Sequence, residues 1–479
     1  MKSATPDAIV IGSGPNGLAA AITVARTGRS VVVYEAEDTI GGGARSAQLT
    51  LPGFLHDVCS SVYPMGVASQ FFKTIPVEEF GLRWIFQEAA LAHPFDDGTA
   101  IALTHSLEES SAQFGADQKA VRKLIGPVAE SWHQLSDDIL RPARLPRHPA
   151  ILARFGIDAM FSAHSLAARK FKTAKARAVF AGIAAHSIMR LESPGSGAFG
   201  ILLWAICHAL GWPFAAGGSQ AITSALAANL KKLLGEIVTN ARVTSLSDLP
   251  QSSLVMCDLT PRQLLQIGGD LISTAERRKL EKYRYGPGVF KLDWSLDAPI
   301  PWAAPECRRA GTVHLGGSFE EIAEAERTAW SDAPAKRPFV LLTQPSLFDS
   351  TRAPAGKHVA WGYCHVPHGS SADMTERIEA QVERFAPGFR RHIIGRSVMS
   401  PADLEHGNAN LIGGDISGGS FYSSRLLLGV TSRAYATSNP RIFLCSSSTP
   451  PGSGVHGLCG YFAAQFAIEK WFGGSRKIK

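Results

Sequence analysis

The run Gly12-Ser13-Gly14-Pro15-Asn16-Gly17 follows directly on four apolar residues, Ala8-Ile9-Val10-Ile11. Glycines at that spacing let backbone N–H groups come close to a pyrophosphate. The helix they open adds unpaired donors and a positive dipole end. A second apolar run, Val31-Val32-Val33-Tyr34, ends on Glu35, whose carboxylate suits a pair of ribose hydroxyls. Glu35 stands at about the 20-residue distance expected of a dinucleotide-binding βαβ unit. Strand, glycine loop, alanine-rich helix and acid in this order predict a bound dinucleotide rather than an empty turn.

Just beyond lies Ala36-Glu37-Asp38-Thr39-Ile40-Gly41-Gly42-Gly43-Ala44-Arg45-Ser46. Its glycines suit a second approach of backbone to the phosphates, with Arg45 supplying positive charge. Near the C-terminus, Gly452-Ser453-Gly454-Val455-His456-Gly457 also reads G-x-G-x-x-G. Too few residues follow it for a second βαβ unit, so it is expected to serve the first site from the other side. For proton chemistry the candidates are His56, Asp57 and His456, since a histidine titrates near neutrality. A polar group, Asp403, Glu405, His406 and Asp415 around Gly413-Gly414, reads mainly as an inter-domain loop.

The elements that must position these groups form an α/β chain. Residues 1–75 carry the first part of a discontinuous Rossmann-type domain. The stretch 76–210 reads as mostly helical. A glycine-rich loop, Gly211 to Ser219, then opens a helix with apolar Ile222, Leu226, Leu230 and Leu233 at helical spacing, Ser219 its expected cap. Strands are expected around Ile237 to Leu246 and at Leu254-Val255-Met256-Cys257, so 211–284 returns to the nucleotide-binding domain. Alternating runs with aromatics make 285–400 a mixed β part, and 401–479 closes the nucleotide-binding domain with a strand at Ile442 to Cys445 and a helix from about 457. An α+β substrate domain is thus expected to be inserted in two pieces, 76–210 and 285–400.

The order E-A-x-x-x-x-G-G-x-x-x-S after the first loop resembles FAD-dependent oxidoreductases of the phytoene-desaturase-like family, within the amine-oxidase superfamily. Leu444 through Gly460 is similar to their closing flavin motif. Gly211 through Ile222 is similar to the middle motif of a branch named for a pyridine nucleotide-disulfide oxidoreductase domain. The resemblance implies FAD as cofactor, held by Gly12, Gly14, Pro15, Asn16, Gly17, Glu35, Ala36, Gly42, Gly43, Arg45 and Ser46. It adds Val243, on a strand Arg242-Val243-Thr244 beside the adenine, and Gly454 with Val455 near the ring. Gly43 stands where amine oxidases carry arginine, which favours the desaturase branch. The implied reaction is dehydrogenation of a hydrophobic, polyene or lipid-like substrate by hydride transfer to flavin, with oxygen or a quinone as electron acceptor. Phe199, Leu202, Leu203, Trp204 and Trp212 are expected to line the substrate tunnel. Alternatives within reach of the same cofactor are an amine oxidase, an isomerase, or a flavin-binding protein without turnover.

Composition bounds these readings. Of 479 residues, 45% are hydrophobic and 19% charged, an ordinary globular balance. A net charge of +7 is too mild for a dedicated nucleic-acid partner. The seven cysteines include no C-x-x-C, so neither a redox dithiol nor a metal site is expected. No secretory leader is evident, and a cytoplasmic protein is expected. Between residues 141 and 177, basic residues interleave with Ile151, Leu152, Phe155, Met160, Phe161 and Phe171, a composition suited to peripheral contact with an anionic membrane.

Overall fold

The computed structural model describes residues 5–423 and 427–473. Ala8–Ile11 forms the centre of a five-stranded parallel sheet, ordered Ile442–Leu444, Leu254–Cys257, Ala8–Ile11, Val31–Tyr34, Glu236–Val238. Its central strands are continuous apolar runs because both faces are covered. Helix Pro15–Ala25, with Pro15 at its first position, is buried along almost its whole length. It packs between helices Gln220–Lys232 and Leu458–Phe472. The second contact needs a residue without a side chain: a Cβ on Gly460 would lie 1.8 Å from the Asn16 carbonyl oxygen.

A second, seven-stranded sheet runs Ile393–Met399, Gly288–Leu296, His358–Val366, Val340–Thr343, Ala310–Leu315, Ala89–Pro94, Ala100–Thr104. Its pairs are antiparallel except Ala310–Leu315 with Ala89–Pro94. One face buries Leu292, Trp294, Val313, Leu315, Val340 and Leu342 against helix Thr375–Phe385, through Ile378, Val382 and Phe385. The other face turns towards helices between residues 107 and 209, among them Ala174–Ala184 and Ser196–Ala209. The mixed α/β architecture with a Rossmann-like unit is the expected one.

Two local expectations are corrected and one is refined. The stretch 76–210 is mostly helical, but it also contains the strands Ala89–Pro94 and Ala100–Thr104. Ala89–Pro94 is buried on both faces, so it lacks the alternation that marks a strand. Pairing on either side overrides its alanine-rich composition. Arg242-Val243-Thr244 is not a strand: the strand stops at Val238, Asn240 turns with φ 52°, and the Ala241 N–H donates to the Glu35 carbonyl at 2.8 Å. Ser219 does precede helix Gln220–Lys232, but its hydroxyl donates to the Arg45 carbonyl at 2.6 Å instead of capping the helix.

Among the described residues, no helix is long and apolar enough to cross a membrane, and no group of His, Cys, Asp and Glu could hold a metal ion. All seven cysteines are free thiols.

Candidate functional site

A single cavity of about 1500 Å³ runs from the glycine loops of the parallel sheet to the inner face of the second sheet. At the nucleotide end the turn is so tight that only glycine fits. A Cβ on Gly17 would sit 2.0 Å from the Gly12 carbonyl oxygen. Gly42 (φ 55°) lies against Gly14, where a Cβ would meet the Gly14 Cα at 3.2 Å. The two glycine segments thus form one bare-backbone cradle, a shape suited to phosphates.

Glu35 closes the cradle. Its Oε2 accepts the Ser13 backbone N–H at 2.9 Å and the Ser13 hydroxyl at 2.5 Å, and its Oε1 accepts the Glu37 N–H at 3.0 Å. Arg45 is held by carbonyls, its Nε donating to Gly42 at 3.0 Å and its Nη2 to Gly407 at 2.7 Å. Asn16 Oδ1 is buried with no hydrogen-bond partner among the described residues.

Of the residues expected to hold the cofactor, Gly12, Gly14, Pro15, Asn16, Glu35, Ala36, Gly42, Gly43, Arg45, Val243, Gly454 and Val455 line the cavity. Gly17 and Ser46 do not. The Gly17 N–H is taken by Asp258 Oδ2 at 2.9 Å, and the Ser46 hydroxyl donates to Asp57 Oδ1 at 3.0 Å. Val243 reaches the cavity from a loop rather than a strand.

The proton-transfer candidates have structural partners instead. Asp57 is buried, paired with Arg352, and accepts the Ser219 N–H at 2.7 Å and the Ser61 hydroxyl at 2.5 Å. His56 is buried, with Nε2 2.8 Å from the Thr50 hydroxyl and Nδ1 3.5 Å from Asp293 Oδ1. Neither lines the cavity. His456 does, but its Nδ1 accepts the N–H of Leu458, the first residue of the last helix, at 3.0 Å. Burial holds its ring down to about 4, so it stays neutral at ordinary pH. Around Gly413-Gly414, Asp403 forms a capping box with Ser400, Glu405 pairs with Arg262, and Asp415 accepts the Gly286 N–H at 2.7 Å. These are fold-forming contacts.

Sequence reasoning missed Asp258 altogether. It ends strand Leu254–Cys257, lines the cavity, and sits against Gly12, Gly14 and Gly17. Burial pushes its carboxyl up to about 7, opposed by the Gly17 N–H and assisted by the charge of Glu35. An acid ending a strand that pairs with the first was the signal available. Asn410 joins it, donating through Nδ2 to the Asp258 carbonyl at 2.9 Å.

Beyond the cradle the cavity widens into a chamber with an apolar wall of Ile188, Phe199, Leu202, Leu203, Ile206 and Trp212. Trp204 is not part of it. It faces the other side of its helix, packed with Phe114, Phe171 and Phe180.

Residues 10–75 match the model of the NAD(P)-binding Rossmann-like domain family. Over 97% of its length the chain is 24% identical to pyridine nucleotide-disulfide oxidoreductase domain-containing protein 2 of Rattus norvegicus, covering 93% of that protein. It is also 24% identical to a lycopene-forming phytoene desaturase of Paracoccus sp., over 95% of this chain and 96% of that one. Among solved structures, a putrescine oxidase with three substitutions from a redesign of cofactor binding shares the fold. Its TM-score is 0.63 at 15% identity, with 97% of this chain and 98% of that chain covered. Over nearly its full length the chain is thus similar to FAD-type oxidoreductases such as the phytoene desaturases, and it shares the fold of an amine oxidase. The dinucleotide they point to is FAD, and the bare glycine cradle, the cavity-lining Glu35 and the unpartnered Asn16 Oδ1 fit it.

Proposed function

We propose that the chain is an FAD-dependent dehydrogenase that desaturates a hydrophobic, polyene or lipid-like molecule. The observation that carries this reading is the continuity of the cavity, in which the nucleotide cradle opens without a break onto the apolar wall of the chamber. Bound FAD supplies the hydride-accepting chemistry, with oxygen or a quinone to reoxidise it. The chain's own task is to hold, orient and keep dry. Phe199, Leu202, Leu203 and Trp212 bury an apolar substrate, and the walls exclude water from it. That task needs no acid–base pair, in keeping with His56, Asp57 and His456 being committed to structure.

An amine oxidase reading has less support. The carboxylates of Glu35, Glu37 and Asp258 line the nucleotide end, and Asp293, which does not line the cavity, is paired with Lys291. Asp138 also lines the cavity, and its two oxygens accept the Arg147 and His148 backbone N–H groups at 2.8 Å. Anaerobic bleaching of the flavin by isoprenoid substrates, with no bleaching by alkyl amines, is the expected result. Bleaching by amines alone would overturn the reading.

The substrate's hydrophobicity raises the question of delivery. We propose peripheral membrane contact through 141–177. Leu145, Ile157 and Met160 are 91%, 64% and 72% exposed, set among exposed Arg144, Arg147 and Arg154. Met160 also lines the cavity. Salt-sensitive co-sedimentation with vesicles rich in phosphatidylserine is expected; absence of binding at low salt would defeat this contact.

A further inference from the structure

The chamber wall opposite the helices is not apolar. Register sets Thr312 of Ala310–Leu315 beside Thr343 of Val340–Thr343, and Thr343 beside Trp361 of His358–Val366. Leu341 and Tyr363 continue the same face, and all five residues line the cavity. Residues of the opposite pleat, Val313, Leu342 and Ala360, pack into the core behind the sheet. Thr312, Thr343 and Trp361 therefore stand in one row on the cavity side.

Their polar atoms are an anomaly. The residues are 3%, 2% and 5% exposed, and Thr312 Oγ1, Thr343 Oγ1 and Trp361 Nε1 have no hydrogen-bond partner among the described residues. Buried polar groups are almost always paired, and three adjacent exceptions in a ligand chamber call for an occupant. The chemistry of the row limits what that occupant is. An indole N–H only donates, so its partner must offer a lone pair. A hydrocarbon has none, and neither has an ammonium group. A carboxylate on the row would need a cation beside it, and the lysine there, Lys291, its Nζ 5.3 Å from the Trp361 ring, is already paired with Asp293.

We infer that the row Thr312–Thr343–Trp361 binds an uncharged oxygen, a hydroxyl or carbonyl, on an otherwise apolar substrate. Neighbouring strands lie about 4.8 Å apart, so one oxygen bridges adjacent members, with Thr343 common to both pairs. This deepens the dehydrogenase reading and rests on it, since it takes the chamber as the substrate site. The substrate class is then an oxygenated isoprenoid or lipid-like molecule, not a bare hydrocarbon and not an amine.

Equilibrium dialysis of radiolabelled farnesol, farnesene and farnesylamine against the protein tests this directly, with FAD content read separately from flavin absorbance. Farnesol is expected to bind at least about tenfold more tightly than farnesene, the effect of one good hydrogen bond. Farnesylamine should bind no better than the hydrocarbon. The double variant Thr312→Val/Thr343→Val should bring farnesol to within about twofold of farnesene and leave farnesene unchanged. The Thr312→Ser/Thr343→Ser variant, which keeps both hydroxyls, should retain the preference. A flavin-loaded protein that shows no preference, or one whose preference survives the valine variant, overturns the oxygen site while leaving the dehydrogenase reading intact. A protein that takes up no FAD but prefers farnesol in this hydroxyl-dependent way overturns the dehydrogenase reading and keeps the oxygen site.

Discussion

Asp258 and Gly17 are 241 positions apart in the chain, yet the Asp258 carboxylate accepts the Gly17 backbone N–H at 2.9 Å. That N–H belongs to the first turn of helix Pro15–Ala25, whose N-terminus lines the glycine cradle. The carboxylate therefore occupies a donor of the anion-binding cradle, and its charge opposes a pyrophosphate there.

This relationship gives a pH dependence. With its carboxyl raised to about 7 against an ordinary 3.8, native Asp258 keeps a proton that the unfolded chain has lost over that window. Its contribution to stability therefore falls as pH rises from about 3.8 through about 7. Ionisation also places a negative charge beside the phosphates. FAD affinity is expected to weaken by about tenfold between pH 6 and pH 8, about one pKa unit's worth of free energy. In Asp258→Asn that dependence should vanish and affinity at pH 8 should rise. Titration of the apoprotein with FAD at both pH values checks it, and a dependence unchanged in the variant would contradict the argument.

Gly42 tests the cradle. Its φ of 55° strains any side chain, and a Cβ 3.2 Å from Gly14 Cα would press the two glycine segments apart. Gly42→Ala should cost about 1–2 kcal/mol in backbone strain and reduce bound flavin by more than about tenfold. Flavin absorbance per chain after purification reads the second effect.

Arg352 tests the support beneath the site. It is fully buried against Asp57, which in turn fixes Ser46 and Ser219. Arg352→Met leaves an unpaired buried carboxylate and should cost about 3–5 kcal/mol. The double variant Arg352→Met/Asp57→Leu should recover part of that loss. Thermal unfolding of both separates a structural clamp from a catalytic pair, since only the clamp is rescued this way.

Buried histidines set the behaviour in acid. Burial lowers His93, His208 and His456 to about 4 and His186 to about 3, from an ordinary 6.5. Below pH 6.5 the unfolded chain takes up protons that the native state refuses. Their stabilisation is complete above pH 6.5 and is lost as pH falls through 4. Four such groups outweigh the opposite trend of Asp258, so the unfolding temperature should drop steadily from pH 7 to pH 4.5. A flat or rising profile would contradict the burial of these rings.

Much of this site was legible because its chemistry is backbone chemistry. Gly12, Gly14 and Gly42 are glycines for steric reasons that local spacing reveals, and Glu35 ends a strand whose apolar run announces it. What stayed hidden depends on contacts distant in the chain. Asp258 meets Gly17 only once the sheet has placed their strands side by side. Trp204 and Leu203 are neighbours on one helix, and nothing local says which faces the chamber. Thr312, Thr343 and Trp361 form a row only through strand register, which no single stretch encodes. Ala89–Pro94 hid for the opposite reason: buried on both faces, it shows no alternation.

The central claim is that the glycine cradle holds FAD. Its most direct test is the flavin stoichiometry of the purified protein, read by visible absorbance and after reconstitution with FAD. The account predicts a yellow protein with about one FAD per chain, as a single dinucleotide cradle requires. A colourless protein that takes up no FAD, or one that binds NAD in its place, would contradict it.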